Sequence, residues 1–192
     1  MENTLVTDEA LVQQYVRGHE PALELLIRRH KNKVFTSIFM FVRDQYVAED
    51  LFQDTFMKAV RTLRAGEYTE EGKFLPWVMR IAHNLCIDYY RRVKRTPTVT
   101  TSDGYDIFDI LKFSNGNPEK EYIRKQSHEK IREMMERLPD EQREVVILRQ
   151  WSELSFKEIA EITGVSINTA LGRMRYALIN MRRMKEEYQV AI

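Results

Sequence analysis

Residues 155–178 read SFKEIAEITGVSINTALGRMRYAL. Ser155, followed three residues later by Glu158, has capping-box spacing. In that pattern each of the two side chains satisfies a backbone N–H at a helix start. Phe156, Ile159 and Ala160 follow on one face. The run breaks at Gly164, the residue type that stops a helix in the left-handed conformation. Ser166 is then placed to cap a second helix. Ile167, Ala170, Leu171, Met174, Ala177, Leu178 and Met181 form a nearly unbroken apolar stripe along it. Asn168, Thr169, Arg173, Arg175 and Tyr176 are read as facing outward. Two helices joined by a tight glycine turn, the second outwardly polar and basic, make the helix-turn-helix pattern. The second helix of that pattern enters a DNA major groove. A helical hairpin that merely packs a core looks similar, so the rest of the chain must decide.

The totals exclude more than they assert. The chain has 192 residues and is 43% hydrophobic, enough for one or two small domains. The net charge is +1, with acids and bases nearly balanced along the chain. DNA binders usually advertise a basic domain, and here any phosphate contact must come from local clusters. Two exist: Arg173, Arg175, Arg182, Arg183 and Lys185 without an intervening acid, and Arg91, Arg92, Lys94 and Arg95. Cations at a helix C-terminus that complement the dipole would look the same. Cys86 stands alone, so no internal disulfide framework forms, and its neighbours Leu85 and Ile87 suggest a small buried thiol. His19, His30, His83 and His128 lack metal-ligand spacing, and there is no glycine-rich phosphate loop. No catalytic residue, metal or cofactor is expected. The N-terminal stretch lacks a basic n-region, and the most apolar run, residues 34–42, is too short to span a bilayer. The expectation is a cytoplasmic protein.

Periodicity predicts helices over residues 7–17, 22–42, 46–63 and 74–92, with a polar loop at 64–73. Residues 93–127 are rich in Thr, Ser, Asp and Asn and read as a 35-residue linker. So long a structureless loop inside one domain would be unusual, which places a domain boundary there. Four further helices are predicted at 128–137, 140–151, 155–163 and 167–185. The fold expected is all-α, two small helical domains joined by a flexible linker, the C-terminal one a helix-turn-helix. Domain limits are 1–92 and 128–192.

Two stretches of the first domain add chemistry. In AEDLFQDTFMKAV, Asp50, Gln53 and Asp54 fall at i, i+3 and i+4 and share a helix face. That is an oriented surface for a basic partner, or simply a solvated helix face. In KFLPWVMRIAHNLCIDYYRR, Phe74, Trp77, Tyr89 and Tyr90 interleave with Arg80, Asn84, Arg91 and Arg92. Aromatics that stack bases beside cations that hold phosphates suit single-stranded DNA. An amphipathic core helix is the bland alternative.

Together these motifs resemble the extracytoplasmic-function (ECF) group of the sigma-70 family. The resemblance rests on AEDLFQDTF, FLPWVMRIAHNLCIDYYRR, LPDEQREVVILRQWSELSFKEIAEITGVS and the helix-turn-helix after it. Residues 8–92 resemble sigma region two and 128–185 region four. The resemblance implies an alternative sigma factor that brings core RNA polymerase to promoters, without enzymatic activity. It implies binding to the polymerase at the beta-prime clamp helices and the beta flap. Asp50, Gln53 and Asp54 match the clamp-docking surface. Residues 64–92 match the part that recognises and opens the minus-ten element, with Lys73, Phe74, Trp77, Arg80, Asn84, Arg91 and Arg92 as candidate contacts. Residues 167–178 match the helix that reads the minus-thirty-five duplex, with Ser166, Asn168, Thr169, Arg173, Arg175 and Tyr176 as candidates. An anti-sigma factor is a further implied partner.

The sequence departs from the group at two positions. Many members have Gly at 168 and a basic residue at 171, where this chain has Asn168 and Leu171. The linker is long enough for its task. Two sites two helical turns apart are separated by about 70 Å, and 35 residues extend to about 115 Å. Asp103, Asp106 and Asp109 make it locally acidic, and the resemblance points this segment toward the RNA channel as a phosphate mimic. The rival reading is a stand-alone helix-turn-helix regulator, which would dimerise on paired half-sites and has no need of residues 48–92.

Overall fold

A computed structural model of the chain describes residues 6–69, 72–95 and 130–190. These are helices and their connections, with no strand among the described residues. The chain divides into two compact units, Met1–Asp103 and Gly104–Ile192. The acidic positions Asp103, Asp106 and Asp109 lie outside the described residues.

The described residues of the first unit form four helices: α1 (Asp8–Val16), α2 (Glu20–Val42), α3 (Gln45–Arg64) and α4 (Phe74–Arg95). Each start has a local cause. The Thr7 side chain accepts from the Ala10 N–H, and Asp44 accepts from Val47 N–H at 2.9 Å. Pro21 occupies the first turn of α2, where a missing N–H costs nothing. α2 ends at Arg43, which takes the left-handed conformation (φ 59°) and returns its N–H to the Phe39 carbonyl. The core is filled by Leu11, Leu26, Val34, Ile38, Leu63, Phe74 and Met79. Each such side chain stabilises the unit by about 1.5–3 kcal/mol. α4 runs three residues past the expected boundary at 92, because Val93, Lys94 and Arg95 continue a run without a helix breaker. The first three residues read as linker are therefore helix.

Polar links tie the elements together. Arg64 Nε–H donates to Tyr15 Oη at 2.9 Å, joining α3 to α1, and the Tyr90 hydroxyl donates to the Phe41 carbonyl, joining α4 to α2. Asp8 on α1 takes an ion pair from Arg29 and a 2.6 Å hydrogen bond from His30 Nε2–H, both on α2. His30 is buried beside the Phe74 ring, and its Nδ1 finds no hydrogen-bond partner among the described residues. Burial lowers the His30 pKa and outweighs the opposing pull of Asp8. Charging the ring would place a second N–H in an apolar pocket.

A depressed histidine pKa means the folded state holds fewer protons than the unfolded chain just below pH 6.5. Its contribution is complete above that pH and is lost as the pH falls through it. In a Trp151→Phe background, where Trp77 reports on the first unit, denaturation midpoints are expected to fall between pH 7.5 and 5.5. A His30→Gln variant, whatever its own stability, should show a shallower fall. Equal slopes would contradict this account of His30.

The second unit contains helical residues 130–136 (α5), α6 (Asp140–Gln150), α7 (Phe156–Thr163) and α8 (Ile167–Val190). The capping box at α7 is complete: Ser155 Oγ accepts the Glu158 N–H, and the Glu158 carboxylate accepts the Ser155 N–H at 2.7 Å. α7 stops at Gly164 (φ 70°), a conformation costly for any residue with a Cβ. Val165 N–H reaches back to the Ala160 carbonyl at 3.0 Å, the longer bond of a Schellman stop. Arg149 joins α6 to the next connection, donating to the Leu154 carbonyl at 2.8 Å with its guanidinium 5.3 Å above the Phe156 ring. α8 extends past 185 to Val190, since Glu186, Glu187 and Gln189 are good helix formers.

One expectation about α8 changes. Ala170, Met174, Ala177 and Met184 are buried, but Ile167, Leu171, Leu178 and Ile179 are 42–47% exposed. The apolar stripe read from the sequence is wider than the strip that the core uses. Two short helices, α6 and α7, cover too small an arc of α8 to enclose it all.

Candidate functional site

The candidates fall on three surfaces. On α3, Asp50, Gln53 and Asp54 are all exposed and share a face, while Leu51, Thr55 and Phe56 turn into the core. Gln53 also borders a largely apolar groove of about 520 Å³ with Ile27, Phe52, Phe56, Met57 and Val60, which Arg61 and Arg64 also line. Met57 is half exposed on its rim. This groove has no signal in the sequence, because it depends on how α2 and α3 lie together.

On α4 and at Lys73 just before it, six of the seven candidates reach the surface. Lys73, Arg80, Asn84, Arg91 and Arg92 are exposed, and Trp77 is half-buried. Arg80, Asn84 and Asp88 continue along one side to Arg91, Arg92 and Arg95, which line a polar recess with Asp88. Arg91 pairs with Asp88 at 3.5 Å, and Arg92 lies 5.9 Å over the Tyr89 ring. Phe74 is the exception. It is 1% exposed, with its ring packed 5.7 Å from His30 and 5.8 Å from Trp77. It offers no face to a base in this structure, and its contact fixes Trp77. In sequence it is indistinguishable from the other aromatics that interleave with cations along this stretch.

Trp77 has a partner that the sequence reading missed. Tyr68, in the loop after α3, lies 4.3 Å from it, ring to ring, tilted by 46°. A lone aromatic in RAGEYTEEGK was the available signal. Cys86 is fully buried, and burial pushes its thiol up to about 12, so it remains an uncharged packing group.

On α8 the six candidates divide by geometry. Ser166 Oγ accepts the Thr169 N–H at 3.1 Å and lies 2.8 Å from its hydroxyl, so these two first serve as the helix cap. Asn168, Arg175 and Tyr176 are exposed. Arg173 is drawn back to Glu144 on α6 at 3.6 Å, with both side chains mostly covered. Glu144 had no signal in the sequence, since it lies 29 positions from its partner. Among the described residues no group of three His, Cys, Asp or Glu is placed to hold a metal, and no helix is long and apolar enough to cross a membrane.

These features define a class: an all-helical protein with a helix-turn-helix unit and a second unit bearing cation-and-aromatic and acidic surfaces. Comparison with known proteins narrows it. Residues 26–96 match Sigma-70 region 2, and residues 128–175 match Sigma-70, region 4. The chain is 33% identical over 178 residues to RNA polymerase sigma factor YlaC of Bacillus subtilis, covering 90% of this chain and 99% of that protein. It is 28% identical over 176 residues to ECF RNA polymerase sigma-E factor of Escherichia coli, covering 88% and 89%. CnrH, solved in complex with the cytosolic domain of CnrY, shares the fold with a TM-score of 0.68 at 21% identity, over 94% of this chain and 97% of that one. The sigma factor RpoE in complex with the anti-sigma factor NepR from Bartonella quintana gives 0.63 at 19%, over 87% and 96%. The chain belongs to the sigma-70 family, in its ECF group: it is an alternative RNA polymerase sigma factor and not an enzyme.

The aromatic cluster separates structural from contacting roles. Phe74→Ala should cost the first unit about 3–5 kcal/mol, the range for a buried phenylalanine. Tyr68→Ala should cost about 1 kcal/mol, as for one aromatic pair, and should shift Trp77 emission to the red. Denaturation of the two variants, with Trp151 replaced by Phe, checks both. A red shift in neither would contradict the packing described.

Proposed function

We propose that the three surfaces divide the work of promoter recognition. The exposed Asp50, Gln53 and Asp54, with the neighbouring groove, form the face that docks on the beta-prime clamp helices of core polymerase. Acidic groups beside a largely apolar groove, itself lined by Arg61 and Arg64, suit an amphipathic helical partner with basic groups on the side that meets Asp50 and Asp54: the charges orient it and the groove buries its apolar side.

The observation that carries the reading lies on α4. The helix buries Phe74, Val78, Met79 and Ala82 yet presents Arg80, Asn84, Arg91 and Arg92 on its outside, with Lys73 just ahead of it and the Trp77–Tyr68 pair at its head. That arrangement suits a single strand: cations along the phosphates and rings for unpaired bases. Opening the minus-ten element costs a few kcal/mol for each base unstacked. Stacking on protein rings returns about 1–3 kcal/mol per base. Melting thus proceeds by trapping bases that have already left the duplex, with no covalent step.

The second unit supplies the duplex contact. α8 offers Asn168, Arg175 and Tyr176 to the minus-thirty-five major groove. Ser166 and Thr169 hold the start of the helix in shape. Arg173, paired with Glu144, orients α8 against α6 and meets phosphate at the groove edge. Region four also meets the beta flap. The domains act as region two over 1–92, with α4 continuing to Arg95, and region four over 128–192, joined by the residues between. The protein works with polymerase in the cytoplasm. An anti-sigma factor regulates it, a reading supported by the structural neighbour RpoE, solved in complex with the anti-sigma factor NepR.

Co-purification with bacterial core RNA polymerase tests the docking face. The wild-type chain should bind stoichiometrically. Asp50→Ala/Gln53→Ala/Asp54→Ala should bind at least tenfold more weakly, about 1.4 kcal/mol, without losing its helical signal. Wild-type binding to duplex as a dimer, with no affinity for core, would instead establish a stand-alone regulator.

A further inference from the structure

α8 presents an outward face that the core does not explain. Asn168, Leu171, Gly172 and Arg175 fall at i, i+3, i+4 and i+7, on the side of the helix away from Ala170, Met174 and Ala177. At its centre Leu171 is 44% exposed, flanked by Ile167 at 45%. A polar amide lies on one side and a guanidinium on the other. Apolar side chains left open on a helix that enters a groove are suited to one feature of base edges, the 5-methyl group of thymine.

Gly172 is a second, independent observation. It sits mid-helix, where glycine is unfavourable relative to alanine. A Cβ built on it meets nothing within 4 Å, so the protein's own packing does not require its absence. A bare backbone on an outward face favours close approach by something outside the chain.

We propose that Leu171, with Ile167 beside it, reads thymine methyl groups in the minus-thirty-five duplex, and that Gly172 allows the helix to come close enough for that contact. This rests on the assignment of α8 to duplex DNA. It deepens that assignment by giving the helix an apolar centre between two polar ends. Asn168 is suited to an adenine, whose N7 and N6 groups match an amide. Arg175 is suited to a guanine or to phosphate at the far end. The base pairs facing Leu171 are therefore A·T, with the thymine methyl toward the helix.

The test uses holoenzyme, the full chain bound to core polymerase. Duplexes are selected from a library randomised at the minus-thirty-five segment, then remade with uracil in place of each thymine. Uracil lacks only the 5-methyl group. At one or more positions uracil should weaken wild-type binding about threefold to fivefold, the effect of exposing one methyl-sized group. Leu171→Ala should show that loss on thymine DNA and no further loss on uracil DNA. Gly172→Ala should raise the melting temperature of the second unit yet weaken duplex binding. Equal binding to thymine and uracil DNA, with Asn168→Ala and Arg175→Ala still harmful, would overturn the methyl contact and leave the duplex assignment standing. Tighter binding by Gly172→Ala would overturn close approach. If nothing is selected at this segment, and Asn168→Ala and Arg175→Ala change nothing, the assignment of α8 to duplex DNA fails, and the methyl contact with it.

Discussion

The seating of α8 through Ala170 and Ala177 is the contact on which the second unit depends. Both alanines are fully buried, and with Met174 and Met184 they make a narrow buried strip. Small side chains let α8 lie close to α6 and α7, and they leave most of its circumference in water. A wider buried stripe would hold the helix more firmly and remove the surface proposed to read DNA. Stability is therefore sought at the edges. Asn180 on α8 donates to Gln142 on α6 at 2.8 Å, Arg137 pairs with Glu187 at 2.8 Å, and Arg173 pairs with Glu144. None of these occupies the outward side.

The first unit meets the same demand in another way. α4 must hold an aromatic and cationic surface in fixed geometry, and it does so by anchoring its first residue. Phe74 touches His30 and Trp77, and Trp77 touches Tyr68. A line of contacts thus runs from Asp8 at the start of α1, through the rings of His30, Phe74 and Trp77, to Tyr68 in the loop before α4. The surface aromatics are positioned by a buried one, and α1, which carries none of the candidate contacts, contributes through Asp8.

Much of this was legible in the sequence, for identifiable reasons. The helix-turn-helix was visible because its signals are local: a capping box within four residues, a glycine stop and a serine cap. The acidic face of α3 followed from 3.6-residue periodicity. What stayed hidden depends on tertiary neighbours. Phe74 and Trp77 look alike in sequence, and only packing makes one a core residue and the other a half-open surface. Leu171 and Leu178 read as core by hydrophobicity, but α6 and α7 do not extend around to cover them. Glu144 and Tyr68 are ordinary residues until the fold brings them to Arg173 and Trp77. The end of α4 was missed because helix formers continue past the last residue with an apolar rhythm.

The central claim is that one chain touches a promoter at two places, as a single strand through α4 and as a duplex through α8. Site-specific crosslinking in a holoenzyme–promoter complex tests it most directly, with a photoreactive residue at position 84 or at position 175. The account predicts adducts from 84 on the non-template strand of the minus-ten element and from 175 on duplex about two helical turns upstream, both dependent on core polymerase. Adducts from both positions on paired half-sites of closed duplex, formed without polymerase, would contradict it.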